Sequence, residues 1–318
     1  MKKIIKDILK KIGLFNFLKN IKEEIIKKSK LTNKYKFENR KKDKEKVCFI
    51  LAGYKEFTYE IVFKRIKKFI PDDIEVCILS SGVYSESLSN IAKINDWSYI
   101  STKKNNVSLI QNVAITKFEK AKYIYKLDED IFVTSGFFEM LFKTYIDCKK
   151  SGEYDPGVVA PTIPINGFGH LNILKRLNLV EYYTNNFERP IYAAGPNRMI
   201  ENNPEVAMFF WGKGNYVPQV DKINEILKKD KFSYMACPIR FSIGAILYSR
   251  ELWEDMKMFK VYEGSGIGKD EEDLCGYCVN QSKAIIVSLN TAVGHLSFGK
   301  QNKIMEEYFK NNKDFFEI

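Results

Sequence analysis

Two carboxylates, Asp128 and Asp130, stand two residues apart at the end of an apolar run, Tyr123-Ile124-Tyr125-Lys126-Leu127-Asp128-Glu129-Asp130-Ile131-Phe132-Val133. Hard divalent cations such as Mg2+ and Mn2+ take oxygen ligands, and one or two carboxylates completed by substrate phosphates hold them. The same pair would also serve as an acidic turn capping a helix after Thr134, so spacing alone leaves both jobs open. A second cluster, Asp270-Glu271-Glu272-Asp273, follows the glycine-rich stretch 264–268. The helix dipole favours carboxylates in a first turn, which by itself accounts for them. A helix start beside a cleft is also where one carboxylate can be aimed at a hydroxyl as general base.

Of the two histidines, His295 follows the last apolar run, and neutral imidazole is a common metal ligand. His170 lies in an irregular stretch and reads as structural or acceptor-side. Cys275 and Cys278 have the spacing of a redox pair. They fall inside an expected helix behind an acidic turn, which raises thiol pKa values, and no second such pair completes a zinc site. Both therefore read as core-facing.

Positioning such groups takes a scaffold, and the chain supplies a regular one. Residues 47–52 form a short apolar run ending at Gly53, the signature of a buried parallel strand. Helical spacing follows over 59–69, a strand over 75–79, a helix around 85–94, a strand at 97–100, a helix over 107–120 and a strand over 123–127. Such alternation predicts an open α/β sheet with right-handed crossovers and ligands at the carboxyl ends of its strands. After Gly136 the pattern loosens, and 155–203 is rich in Pro, Gly, Asn and aromatic residues. Order returns with a strand-like stretch over 233–249, a helix over 251–259, the acidic-capped helix over 270–281 and a strand over 284–289.

With these elements in place, Leu127-Asp128-Glu129-Asp130-Ile131-Phe132-Val133 resembles the D-x-D motif of GT-A-fold glycosyltransferases of the bacterial surface-glycan type. It lies about 80 residues beyond the first strand, as in that family. The resemblance spans roughly 47–299 and implies a GT-A-like open mixed sheet flanked by helices, a nucleotide-sugar donor and Mn2+ or Mg2+. It implies that Asp128 faces the donor's ribose or sugar, and that Asp128, Asp130 and His295 serve the metal. It places Ala52, Gly53 and Tyr54 around the nucleoside and Asn112 at a donor contact. The acidic helix start resembles the catalytic acid pair of inverting members. The frame that keeps the family's spacing puts the pair at Asp270 and Glu271 with Asp273 following; the other uses Glu272 and Asp273. Asp128–Asp130 with a late Gly294-His295 equally resembles retaining members, so the stereochemistry stays open.

Charge separates the 318 residues into two parts. Of 51 Lys and Arg, 17 lie in residues 1–46 with only 6 of the 40 acidic residues, so this arm carries the whole net charge of +11. Residues 47–318 are electrically balanced, unlike a nucleic-acid-binding domain, and no nucleic-acid partner is expected. Apolar residues at Ile4, Ile5, Ile8, Leu9, Ile12, Phe15, Leu18, Ile21, Ile25 and Ile26, with Lys between them, predict a basic amphipathic helix over 1–31. It suits an anionic membrane surface, or else docks on the body or a partner. Residues 32–46 read as a linker, 47–135 as a nucleotide-sugar-binding half and 136–318 as an acceptor half. No apolar run is long enough to span a bilayer, Lys6, Lys10, Lys11 and Lys19 interrupt any signal-peptide core, and the scattered cysteines suit reduced thiols. The expected place is the cytoplasm, peripheral to the inner face of the cell membrane. The expected reaction moves a sugar, by the resemblance from a UDP-sugar, to a hydroxyl of a cell-surface glycan or lipid-linked acceptor. Two alternatives remain: a sugar-nucleotidyltransferase, disfavoured because Leu51-Ala52-Gly53-Tyr54-Lys55-Glu56 has one Gly and no Arg, or a non-catalytic, membrane-recruited binding protein on a degenerate fold.

Overall fold

The computed structural model describes Ile21, Glu24 and residues 28–318. The amphipathic helix expected over 1–31 therefore lies almost wholly outside the described residues.

The chain runs β1 (Tyr35–Glu38), β2 (Lys46–Leu51), α1 (Tyr59–Phe69), β3 (Ile74–Ser81), α2 (Glu86–Ile94), β4 (Ser98–Thr102), α3 (Val107–Lys117), β5 (Tyr123–Asp128), β6 (Ile131–Phe132), α4 (Phe137–Ser151) and β7 (Pro156–Thr162). It continues with α5 (Gly169–Arg176), α6 (Val180–Asn186), α7 (Met199–Asn202), α8 (Pro204–Phe210), α9 (Val220–Lys228), β8 (Tyr234–Ala236), β9 (Ala245–Ser249), α10 (Arg250–Asp255), α11 (Lys269–Asn280), β10 (Ala284–Ala292), β11 (Gly294–His295) and α12 (Asn302–Asn311). Nine strands form one sheet in the order β1-β4-β3-β2-β5-β9-β7-β10-β8, and β6 pairs with β11 in a separate ribbon. Strands β4, β3, β2 and β5 are mutually parallel, whereas β9 runs antiparallel to both of its neighbours, β5 and β7. This is the open, mixed, helix-flanked α/β sheet expected, and both halves of residues 47–318 contribute to it.

Local chemistry explains the elements. The first strands read as unbroken apolar runs because both faces are covered: β3 is buried along its whole length. Ser85 and Asn106 cap α2 and α3 by accepting from the backbone N–H three residues on. Elsewhere tertiary packing overrode the sequence pattern. Residues 32–46, expected as a linker, contain β1, an edge strand antiparallel to β4; its Phe37 packs on Phe118 at 6.2 Å. Four residues are too few for a period of two to stand out. The irregular stretch after Gly136 contains α4 and the wholly buried β7, which starts at Pro156 and carries Pro161; proline inside a run argues against a strand. The single strand-like stretch over 233–249 is two strands on different parts of the sheet, β8 at its edge and β9 between β5 and β7. Behind the ribbon, the fully buried Arg65 of α1 donates to the carbonyls of Val133, Phe316 and Glu317 and pairs with Asp221.

Candidate active site

The carboxyl ends of β2, β3 and β5 lie side by side, Leu51 in register with both Leu79 and Asp128. The turn after β5 is where three consecutive carboxylates part company. Asp128 shares its strand face with Lys126, two residues back. Lys126 Nζ is buried, 2.6 Å from Asp128 Oδ1 and 2.9 Å from the Ile243 carbonyl that accepts from it. Burial alone would lower the Lys126 ammonium, but Asp128, Asp270 and Glu271 hold it above its usual range. Desolvation raises the Asp128 carboxyl despite the pull of Lys126, and Asp130 and Asp270 add to the rise.

Glu129 points the other way, under the loop after β2. Its carboxylate accepts from the backbone N–H of Gly53 at 2.8 Å, from that of Tyr54 at 3.0 Å and from the Tyr59 hydroxyl at 3.0 Å. The Glu129 carbonyl accepts from Thr58 Oγ1 at 2.7 Å. Gly53 sits at φ +145, where a side chain is strained, and a Cβ there would come within 3.1 Å of Val83. Tyr54 is anchored through its hydroxyl to the Ser81 carbonyl at 2.6 Å while the residue as a whole stays 62% exposed.

Asp130 faces the ribbon. Strand β11 pairs His295 with Ile131, and Leu296 N–H donates to the Asp130 carbonyl, so register alone carries the histidine to the turn. Trp211 backs this ribbon, donating from Nε1 to the His295 carbonyl at 3.1 Å. Gly294 is required by close approach, since a Cβ would stand 2.3 Å from the Trp211 ring. His295 Nε2 then lies 3.5 Å from Asp130 Oδ2, and Lys55 Nζ lies 2.6 Å from the same oxygen. Burial would raise the Asp130 carboxyl, but Lys55 and His295 outweigh it and leave it below the usual range. Burial lowers the His295 imidazole more than Asp130 raises it. A proton on Nδ1, toward the Ile165 carbonyl 3.4 Å away, would leave the Nε2 lone pair for a cation shared with Asp130. In that tautomer Asp130 and His295 would offer a divalent cation two electron-pair donors. Among the described residues no three His, Cys, Asp or Glu side chains form a ready-made cage, so substrate oxygens would have to complete the coordination.

The acidic start of α11 fans out. Asp270 is buried and accepts from Gln111 Nε2 at 3.0 Å. Glu271 is paired with Arg240 at 3.0 Å and accepts from Ile243 N–H at 3.3 Å; burial pushes its carboxyl up to about 7, with Arg240 opposing and Asp270 reinforcing the rise. Glu272 is exposed and paired with Lys269. Asp273 accepts from the Tyr262 hydroxyl at 2.8 Å and lies 3.5 Å from Lys260, away from the Lys126 group.

Of the residues singled out from sequence, the structure brings Asp130 and His295 together, places Asp128 beside them on Lys126, and gathers Gly53 and Tyr54 over Glu129. Ala52 is buried in the loop's root and donates its N–H to the Leu79 carbonyl. Asn112 does not fit a donor contact. Its amide donates to the carbonyls of Lys30 and Phe259 while its oxygen accepts from Trp253 Nε1 and Phe259 N–H, which exhausts the side chain. His170 is buried, bonded to the Asn166 carbonyl and pushed down to about 4 by burial. Cys275 and Cys278 are buried free thiols pushed up to about 12, as expected of core residues. Sequence reading missed Lys55, Glu129 and Lys126. Lys126 was the findable one, a cation inside an apolar strand at the period-two position before Asp128.

No protein-family profile matches the chain, and neither does any curated protein sequence. Among solved structures it is similar to GalNAc-T7 with UDP, GalNAc and Mn2+, at 11% identity and a TM-score of 0.47, covering 82% of this chain and 45% of that one. It is also similar to a mannosyltransferase from Pyrobaculum calidifontis in complex with GDP-Man and Mn2+, at 10% identity and a TM-score of 0.44, covering 79% of this chain and 56% of that one. The chain thus spans about half the length of those two proteins.

Proposed function

We propose that this chain is a metal-dependent glycosyltransferase of the GT-A type, moving a sugar from a nucleoside diphosphate-sugar, a UDP-sugar first, to a hydroxyl of a surface glycan or lipid-linked acceptor. What carries the reading is the Asp130 carboxylate at the carboxyl ends of parallel strands, with Lys55 Nζ and His295 Nε2 converging on its Oδ2.

Asp130 and His295 would hold Mn2+ or Mg2+, which when bound neutralises charge on the departing diphosphate. The chain's own residues prepare the rest. Glu129 fixes the Gly53-Tyr54 backbone, so the exposed Tyr54 offers a wall for the nucleoside. Asp128, held by Lys126, faces the ribose or sugar. Glu271, with a carboxyl near 7, accepts the proton of the acceptor hydroxyl if configuration inverts. Asp270, bonded to Gln111, supports it from the same helix turn.

Residues 1–31 would rest on the anionic inner face of the cell membrane, with the catalytic body in the cytoplasm; among the described residues no helix is long and apolar enough to cross a membrane. The test is a panel of nucleotide sugars assayed for release of nucleoside diphosphate with Mn2+, Mg2+ or chelator. Cation-dependent release from one donor, lost in Asp130→Asn, supports the reading; release that ignores both overturns it.

A further inference from the structure

Lys55 was not singled out by its sequence context, yet it supplies the positive charge at the centre of the site. Its Nζ lies 2.6 Å from Asp130 Oδ2, the oxygen that His295 Nε2 faces at 3.5 Å. An ammonium and a divalent cation cannot share that position: each is drawn to the same lone pairs and each repels the other. The stem of Lys55 starts from a fixed point, because the two preceding N–H groups are clamped by Glu129. The side chain itself is not sealed in; it is 20% exposed, on a flexible four-carbon stem.

Building on the donor-site reading, we propose that Lys55 is a diphosphate-binding residue held in reserve by Asp130. Entry of the divalent cation takes over Asp130 Oδ2 and releases the ammonium, which turns to the donor's diphosphate. The cation alone must displace an ion pair and gains nothing for the freed ammonium. The cation together with a diphosphate satisfies both. Cation and nucleotide therefore bind with positive coupling, and that coupling is reciprocal.

Calorimetric titration of the full chain with Mn2+ alone, UDP alone and UDP at saturating Mn2+ tests this. In Lys55→Met, Mn2+ alone binds about tenfold tighter, and the factor by which Mn2+ tightens UDP falls about tenfold. Lys55→Gln, which keeps a polar group in the buried turn, shows the same pattern should the Met variant unfold. Lys55→Arg, which keeps the charge, retains the coupling. Unchanged or weaker binding of Mn2+ alone in both neutral variants overturns the competition, and unchanged coupling overturns the diphosphate role. A wild-type chain that binds neither Mn2+ nor UDP overturns the donor-site reading itself, an outcome distinct from normal wild-type binding that ignores Lys55.

Discussion

The turn after β5 and the start of α11 are both runs of carboxylates, and they are used in opposite ways. In the turn, Asp128, Glu129 and Asp130 each meet a dedicated partner set: Lys126, the Gly53-Tyr54 N–H groups, and Lys55 with His295. All three serve one small volume at the sheet's edge. On the helix, about 100° of rotation per residue sends neighbours apart. Asp270 and Glu271 turn inward, Glu272 meets solvent, and Asp273 joins Tyr262. On a strand-end turn a run of like charges thus takes different partners around one neighbourhood, whereas on a helix it is spread around the axis, and only Asp270 and Glu271 of the second run turn toward the proposed site.

The largest way to sharpen that contrast is Asp130→Asn, which keeps shape and removes the charge facing Lys55 and His295. Transfer should fall about a thousandfold with an unchanged circular dichroism spectrum. On the helix, if configuration inverts, Glu271→Gln should lower kcat about a hundredfold, whereas Asp273→Asn should leave it near wild type. The reverse order would move the base to the other frame of the cluster. The Glu271 carboxyl must be ionised to accept a proton, so the wild-type rate should fall as pH drops below about 7, a limb absent from Glu271→Gln. Next comes Glu129→Gln, which leaves fewer acceptors for Gly53, Tyr54 and Tyr59. It should raise the donor KM about tenfold with kcat little changed, the mark of a residue that positions the loop. An equal loss in kcat would place Glu129 in the chemistry instead. The smallest effect on rate is expected from Gly294→Ala, whose cost appears in stability. Its Cβ meets the Trp211 ring, which should destabilise the chain by about 2 kcal/mol in urea unfolding.

The same contrast explains how much was legible beforehand. Periodicity found the parallel strands because buried strands carry unbroken apolar runs, and the Asp128–Asp130 pair at the end of one stands out by its charge. It placed α1 at its observed bounds, residues 59–69. It could not see β1, too short to show a period, nor β7, disguised by Pro156 and Pro161. In the site, Asp130 and His295 were nameable from residue type, but Lys55 and Glu129 were not. Their roles depend on which way side chains leave a turn, and that is settled by the loop's N–H groups and the β6–β11 register. Asn112 misled for the converse reason: an amide in a promising segment was already bonded to Trp253 and Phe259.

Arg65 carries a consequence for synthesis. Its guanidinium, sealed from solvent, finds acceptors at Val133, Asp221, Phe316 and Glu317, so its partners span nearly the whole chain in order of appearance. Strand β9 likewise enters between β5 and β7 only after both have been made. A chain made from its N-terminus would leave one edge of β5 unpaired until residue 249 emerges, and Arg65 incompletely bonded until Phe316 and Glu317 emerge. The wall behind β6 is thus completed late, and a nascent chain stalled short of Phe316 would leave Arg65 without acceptors that the folded chain closes around it.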